Sequence, residues 1–170
     1  MINDFCHLFK RELKIGFNDF FTIISFSSFF LISILIFVFA FGSIPIEISL
    51  FYNPMVWVIL IFSIMLVSEN FTYNDYLDGS LKELQFLGYS EELIILSKAL
   101  IMWLMIIIPS LFLVPLSCIF FKLSLIESVL LFVSIILASP SLILISLVAS
   151  LFSIQLKSNK IIQFIIIFPF

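Results

Sequence analysis

Residues 99–121 read ALIMWLMIIIPSLFLVPLSCIFF, an apolar stretch without one charged side chain. A helix needs about 20 such residues to cross the hydrocarbon core of a bilayer, and this run has them. Its prolines, Pro109 and Pro115, are tolerated in a membrane helix, where they introduce kinks and neighbouring groups satisfy the freed backbone. The pattern recurs on both sides. Phe21 to Gly42 is one further run, and Ser128 to Phe152 is another, interrupted only by Ser139-Pro140-Ser141. Met55 to Val67 is shorter, and to span it must borrow from the Tyr52 side or continue past Ser68 and Glu69. A last run, Ile161 to Phe170, stops after about half a bilayer and reads as a fifth span cut short by a fragment end or a truncated reading frame. The expected spans are 21–42, 52–70, 99–121 and 128–152, with a partial one at 161–170, in a single transmembrane domain covering residues 1–170. The fold class is therefore all-α, a polytopic helical bundle.

Composition supports the bilayer as solvent. The chain is 63% hydrophobic and 11% charged, with a mean hydropathy of +1.31, against about 45–50% and about 25% in soluble domains. A net charge of −3 without a basic footprint argues against a nucleic-acid partner. Cys6 lies in a charged segment and Cys118 deep in an apolar run, so a disulfide between them is not expected. His7 is the one histidine, which leaves too few ligands for a protein-built zinc or iron–sulfur site.

Residues 1–20 are amphipathic. Phe5, Leu8, Phe9, Leu13, Phe17 and Phe20 recur at helical spacing, with Asp4, His7, Lys10, Arg11, Lys14 and Asn18 on the remaining faces. This reads as a helix in the membrane interface. Ala40-Phe41-Gly42 resembles a signal-peptide cleavage site, but the apolar run before it exceeds the about 7–15 residues of a signal peptide. Basic residues set the orientation. Lys10, Arg11, Lys14, Lys82, Lys98, Lys157 and Lys160 fall in alternate polar segments, against Lys122 alone in the others. By the positive-inside rule the N-terminus and the segments 69–98 and 155–160 are cytoplasmic, and 43–54 and 122–127 face outward. Tyr52, Trp57 and Trp103 read as aromatic anchors at the interface.

The polar segment from Glu69 to Lys98 carries the most specific signals. Ser80 followed by Glu83 has the form of a capping box. Gly88 supplies a stop, and Leu81, Leu84 and Leu87 share a face. Ser90 is placed to cap the next helix, whose Glu91 and Glu92 suit the positive helix end. A short helix is thus expected between two membrane helices. Two readings fit it equally: a helical hairpin resting its leucines in the interface, or a rigid docking element that receives force from a cytoplasmic ATPase.

The stretch Pro54-Met55-Val56-Trp57 through Leu66-Val67-Ser68-Glu69-Asn70-Phe71, with Asp75-Tyr76-Leu77-Asp78-Gly79-Ser80-Leu81-Lys82-Glu83-Leu84 and Leu96-Ser97-Lys98, resembles the membrane subunit of ABC-2 type exporters. More narrowly it resembles the haem exporter protein B family of cytochrome c maturation. In that family a Trp opens the second span, a Glu closes it, an Asp-Gly-Ser-Leu-Glu-Gln-Leu-like helix follows, and an Ala-Lys-like pair leads into the third span. Ala138-Ser139-Pro140-Ser141-Leu142 is similar to the family's small-Thr-Pro-Thr-Leu segment. Gly88-Tyr89-Ser90 departs from the family's proline-rich turn, and the family's six-span plan is incomplete here.

The resemblance implies a permease that pairs with a cytoplasmic ABC ATPase and with other cytochrome c maturation membrane proteins, in a bacterial or mitochondrial inner membrane, as two permease copies or a hetero-complex. Haem would be the cargo, and ATP would act only through the partner. No Gly-x-x-x-x-Gly-Lys-[Ser/Thr] phosphate loop occurs, so no catalytic residues are expected. The expected ATPase-coupling residues are Glu69, Asp78, Gly79, Ser80, Leu81, Glu83, Leu84 and Leu87, with contact made through the leucines and flanking charges. The alternatives are an ABC-2 permease for a lipid, drug or polysaccharide, and a membrane scaffold that holds assembly proteins without transport.

Overall fold

The computed structural model describes residues 2–41, 51–121 and 123–155, of which 2–4, 17, 18 and 155 are described by backbone alone. The described residues form six helices and no strand: α1 (Ile2–Asn18), α2 (Phe20–Phe41), α3 (Tyr52–Leu77), α4 (Ser80–Phe86), α5 (Glu91–Phe120) and α6 (Leu125–Gln155). Four of them, α2, α3, α5 and α6, are long and apolar enough to cross a membrane. The protein is an all-α polytopic bundle. Residues 43–50 of the expected loop 43–54, Lys122, the basic pair Lys157 and Lys160 and the partial span 161–170 lie outside the described residues, and 52–54 already belong to α3.

The long helices share one apolar core in which α3 and α5 are central. Both α2 and α6 pack against this pair. Phe26 and Phe30 of α2, Leu60 and Ile64 of α3, Ile101 and Met105 of α5 and Ile135 and Ile143 of α6 are all almost completely buried there. Burying such a side chain contributes about 1.5–3 kcal/mol in water. In a bilayer the lipid is equally apolar, so close packing and interhelical hydrogen bonds carry the association instead. The structure has several such bonds. Between α3 and α6, Ser68 meets Ser146, and one turn later Thr72 Oγ1 donates to Ser150 Oγ at 2.8 Å.

Two expected interface anchors also make contacts within the bundle. Tyr52 is 1% exposed, its hydroxyl lies 2.5 Å from Ser117 Oγ, and its ring packs on Phe121. Trp103 stands near the middle of α5 and donates from Nε1 to Ser139 Oγ on α6 at 2.9 Å. In both cases the polar atom has a partner on another helix. Ser139 also donates to the carbonyl of Ile136 at 3.4 Å, which is the carbonyl that Pro140 leaves without its helical N–H. Pro109, Pro115 and Pro140 sit inside continuous helices.

At the start of α2, Asp19 accepts from the Thr22 backbone N–H at 3.3 Å and from the Thr22 hydroxyl at 2.5 Å, a side-chain cap that separates α1 from α2. A capping box that the sequence reading did not single out opens α6. Ser124 N donates to Glu127 Oε2 at 3.0 Å, and Glu127 N returns a bond to Ser124 Oγ at 3.3 Å.

Candidate functional site

The polar segment between α3 and α5 folds as a short, firmly ended helix. Gly79, the residue before α4, has φ of 72°, a left-handed conformation that side-chain-bearing residues rarely adopt. At the other end Gly88 has φ of 86°. Its N–H bonds to the Gln85 carbonyl at 3.0 Å and the Tyr89 N–H to the Leu84 carbonyl at 3.3 Å. This is the paired pattern of a Schellman stop, and Tyr89 packs on the Leu84 cluster as that motif favours. The capping-box expectation is corrected. Because Gly79 takes the cap position, Ser80 is the first helical residue, and its hydroxyl turns back to Asp75, 3.3 Å from the carbonyl and 3.2 Å from Oδ1. Ser90 does occupy the cap position of α5 in an extended conformation, but its side chain makes no capping bond.

The leucines of α4 do not share one environment. Leu84 is 2% exposed and forms a small core with Leu8 of α1 and Ile94 of α5, with Leu81 packed alongside. The expectation that the leucines would together meet a partner is therefore corrected: the helix rests on Leu84. Its outward tip is Phe86 at 90% and Leu87 at 73% exposure, with Lys82, Glu83 and Gln85 also exposed. Gln85 Nε2 donates to Glu91 Oε1 at 3.0 Å, tying α4 to the first turn of α5. Clefts flank the helix, one of about 230 Å³ between Lys82, Gln85, Ile95 and Leu151 and one of about 120 Å³ between His7, Arg11, Glu83 and Leu87.

Beneath α4 lies a buried ionic network. Lys98, 3% exposed, places Nζ 2.9 Å from Glu12 Oε2 of α1 and also donates to Asp75 Oδ2 of α3. The Glu12 side chain is 1% exposed, and its other oxygen takes Arg11 Nη1 at 2.6 Å. The Lys98 ammonium also lies 5.3 Å from the centroid of the Phe71 ring, within the range of a cation–π contact. Two cations and two carboxylates thus compensate one another, which is the condition for burying charge. Among the described residues no buried side-chain nitrogen or oxygen lacks a hydrogen-bond partner.

Sequence position alone pointed away from this network. Glu12 lies on the face of α1 defined by Leu8 and Gly16, each four residues away, so an acid within an apolar stripe was the available signal. Asp75 continues the buried face of α3 after Ser68, Phe71 and Thr72. Of the expected coupling residues, Gly79, Ser80, Leu81, Glu83, Leu84 and Leu87 sit on or beside α4, and Asp78 is the exposed residue that closes α3. Glu69 stays inside α3, which continues to Leu77, about 12 Å further along the axis. It is half-buried and engaged with neighbours. His7 and Cys6 are exposed, Cys118 is buried, and both thiols are free. No group of three or more metal-binding side chains occurs among the described residues.

A family model described as CcmB protein matches residues 3–170. The chain belongs to this family. Heme exporter protein B of Haemophilus influenzae (strain ATCC 51907 / DSM 11121 / KW20 / Rd) is 28% identical over 120 residues, covering 71% of this chain and 54% of the relative. The chain thus spans about half the length of the curated relative it matches. The α3–α4–α5 geometry described above lies inside the stretch matched by the family model.

Proposed function

We propose that the chain is the membrane permease part of an ABC-type haem exporter acting in c-type cytochrome maturation, in a bacterial inner membrane, with α4 as the element that receives a separate ATP-binding subunit. The observation that carries the reading is the build of α4 itself. A helix that transmits force must not deform, and α4 has a left-handed glycine at each end, a Schellman stop and a buried leucine as its foot. It presents an exposed apolar tip, Phe86 and Leu87, among charged and polar neighbours, the composition of a protein-docking patch. An interfacial hairpin would also turn Phe86 and Leu87 outward, and the family match favours the docking reading.

The family and its named relative support haem as the cargo. On this reading the α4 end is cytoplasmic, in keeping with Lys10, Arg11, Lys14, Lys82 and Lys98 gathering there. Two permease copies, or a hetero-complex with other maturation proteins, complete the transporter. The decisive experiment is affinity purification of the full chain in mild detergent, combined with measurement of covalently bound haem in c-type cytochromes of a deletion strain. Recovery of an ABC ATPase together with loss of holo-cytochrome is the expected result. An ATPase recovered with normal cytochromes would point to an ABC-2 exporter of another cargo, and absence of an ATPase would favour a scaffold.

A further inference from the structure

We infer that Lys98 is a positioning residue that locks α1, α3 and α5 into one body beneath α4, so that displacement of α4 moves all three helices together. This inference rests on the reading of α4 as the ATPase-receiving element.

The links run from element to element, with Arg11 and Glu12 neighbours on α1. Ser80, in the first turn of α4, bonds to Asp75 Oδ1, and the other oxygen of Asp75 holds Lys98. Lys98 reaches Glu12 on α1, and Glu12 is held in turn by Arg11. Leu84 presses on Leu8 and Ile94 from the same side. Four residues beyond Glu12, Gly16 brings the α1 backbone against Ile101 and Met105. The pairings 12 with 98 and 16 with 101 and 105 advance together, so α1 runs alongside α5 in the same direction over consecutive turns.

A purely structural network would be a poor use of these groups. Burying charge costs several kcal/mol per ion, and apolar residues of similar size generally serve stability as well or better. What a charged junction adds is specificity of geometry. One ammonium on α5 meets two carboxylates on different helices, and the fully buried Glu12 and Lys98 cannot part without leaving charge in a water-poor site. Ordinary apolar packing between the same helices would allow them to slide past one another in small steps; the ion junction holds them in one register.

The experiment uses the full chain in its complex with the co-purified ATPase. Spin labels on the native Cys6 of α1, which is exposed, and on a cysteine introduced at the exposed Phe152 of α6 report the α1–α6 distance with and without ATP and vanadate. The test variant is Glu12→Gln/Asp75→Asn/Lys98→Met, which removes the charges with little change of volume. The expected result is a nucleotide-dependent distance shift in the parent and its loss in the variant, while the variant stays folded and keeps the ATPase. A folded variant with the parent's shift would overturn the inference, as would absence of the shift in the parent complex or loss of the ATPase from the variant alone. Failure to recover an ATPase with the parent would instead sink the reading on which the inference rests. Should the triple variant fail to fold, Glu12→Gln/Lys98→Met leaves Asp75, 15% exposed, able to turn toward water. Misfolding of both would make the network structural only and overturn the inference. Lys98→Arg, which keeps the charge, should retain the shift, and its loss would count against a role for the ammonium charge.

Discussion

Gly16 offers the sharpest test of how α1 meets the bundle. An added Cβ there would stand 2.6 Å from Ile101 Cγ2 and 3.2 Å from Met105 Sδ and Cε. Carbon atoms pack favourably at about 3.5–4.0 Å, so the isoleucine methyl must retreat by about 1 Å. Met105 can yield, being unbranched. Ile101 is fully buried and β-branched, so its side chain is stiff and closely surrounded. Overpacking of this kind costs about 1–3 kcal/mol, against which alanine gains about 1 kcal/mol over glycine within a helix. Gly16→Ala should therefore be destabilising by about 0–2 kcal/mol, the reverse of its intrinsic helix preference. The informative variant is the double. Ile101→Ala alone should cost about 2–5 kcal/mol by leaving a cavity, and the added methyl at position 16 would occupy part of it. The double mutant should then be more stable than the sum of the singles by about 1–2 kcal/mol, the coupling expected of side chains in direct contact. Unfolding by SDS in mixed micelles, followed by the fluorescence of Trp57 and Trp103, gives all four corners of the cycle. A Gly16→Ala protein more stable than the parent, or strict additivity in the double, would refute the close crossing.

Three further outcomes follow from particular contacts. Leu84→Ala should destabilise the α1–α4–α5 junction by about 2–5 kcal/mol, whereas Phe86→Ser, at an exposed position, should change stability by no more than about 0.5 kcal/mol yet abolish co-purification of the ATPase; pull-down and unfolding of the two variants separate foot from tip. Trp103→Phe should weaken the α5–α6 contact by about 0.6 kcal/mol, the average for an interhelical bond in a membrane, and Trp103→Phe/Ser139→Ala should cost no more than the sum of its single changes in the same unfolding assay. Maleimide labelling of the folded protein should modify Cys6 and spare Cys118 until denaturant is added, and comparable labelling of both thiols would contradict the buried setting of Cys118.

Much of the fold was legible because the bilayer demands long apolar runs, and each run from 21 to 152 became a helix, with the end of α3 and the start of α5 extended by about two turns. The shifts have local causes. The second span runs on to Leu77 because Phe71, Thr72 and Asp75 still face inward, so helix continues after hydrophobicity has faded. The third begins at Glu91 because two acids and Ser90 favour a start there. The short helix between them was readable from Ser80 with Glu83 and from Gly88, although Gly79 rather than Ser80 holds the cap position. What could not be read was how its faces divide, because spacing groups Leu81, Leu84 and Leu87 without saying what lies on either side. The network around Lys98 was hidden for a related reason. Its members are separated by long stretches of sequence, and only tertiary packing shows that an acid on an apolar stripe of α1 and a lysine at the head of an apolar run are one pair.

The bundle is joined in two physically different ways, and the difference has a direction. At the α4 end, α1, α3 and α5 meet through a buried lysine with two carboxylates, a junction that is costly to break because each partner left behind is a stranded charge. Along its length α6 is held to α3 and α5 by hydroxyl rungs, Ser68 with Ser146, Thr72 with Ser150 and Trp103 with Ser139. Such bonds average about 0.6 kcal/mol in a membrane, because each hydroxyl finds another partner when its first is lost. Several of these hydroxyls already donate to their own helix: Ser150 to the Leu147 carbonyl at 2.8 Å and Ser139 to that of Ile136 at 3.4 Å. Rungs between α3 and α6 can therefore open without orphaning Ser68, Thr72 or Ser150, which also bond to carbonyls of their own helices, whereas Trp103 Nε1 would lose its acceptor. The strong junction lies directly beneath the helix with the exposed apolar tip, and the weak ones line the helix that carries Pro140. Force applied at Phe86 and Leu87 meets the ion junction first and passes to α6 through packing as extensive as any in the bundle and through hydrogen bonds that can exchange partners.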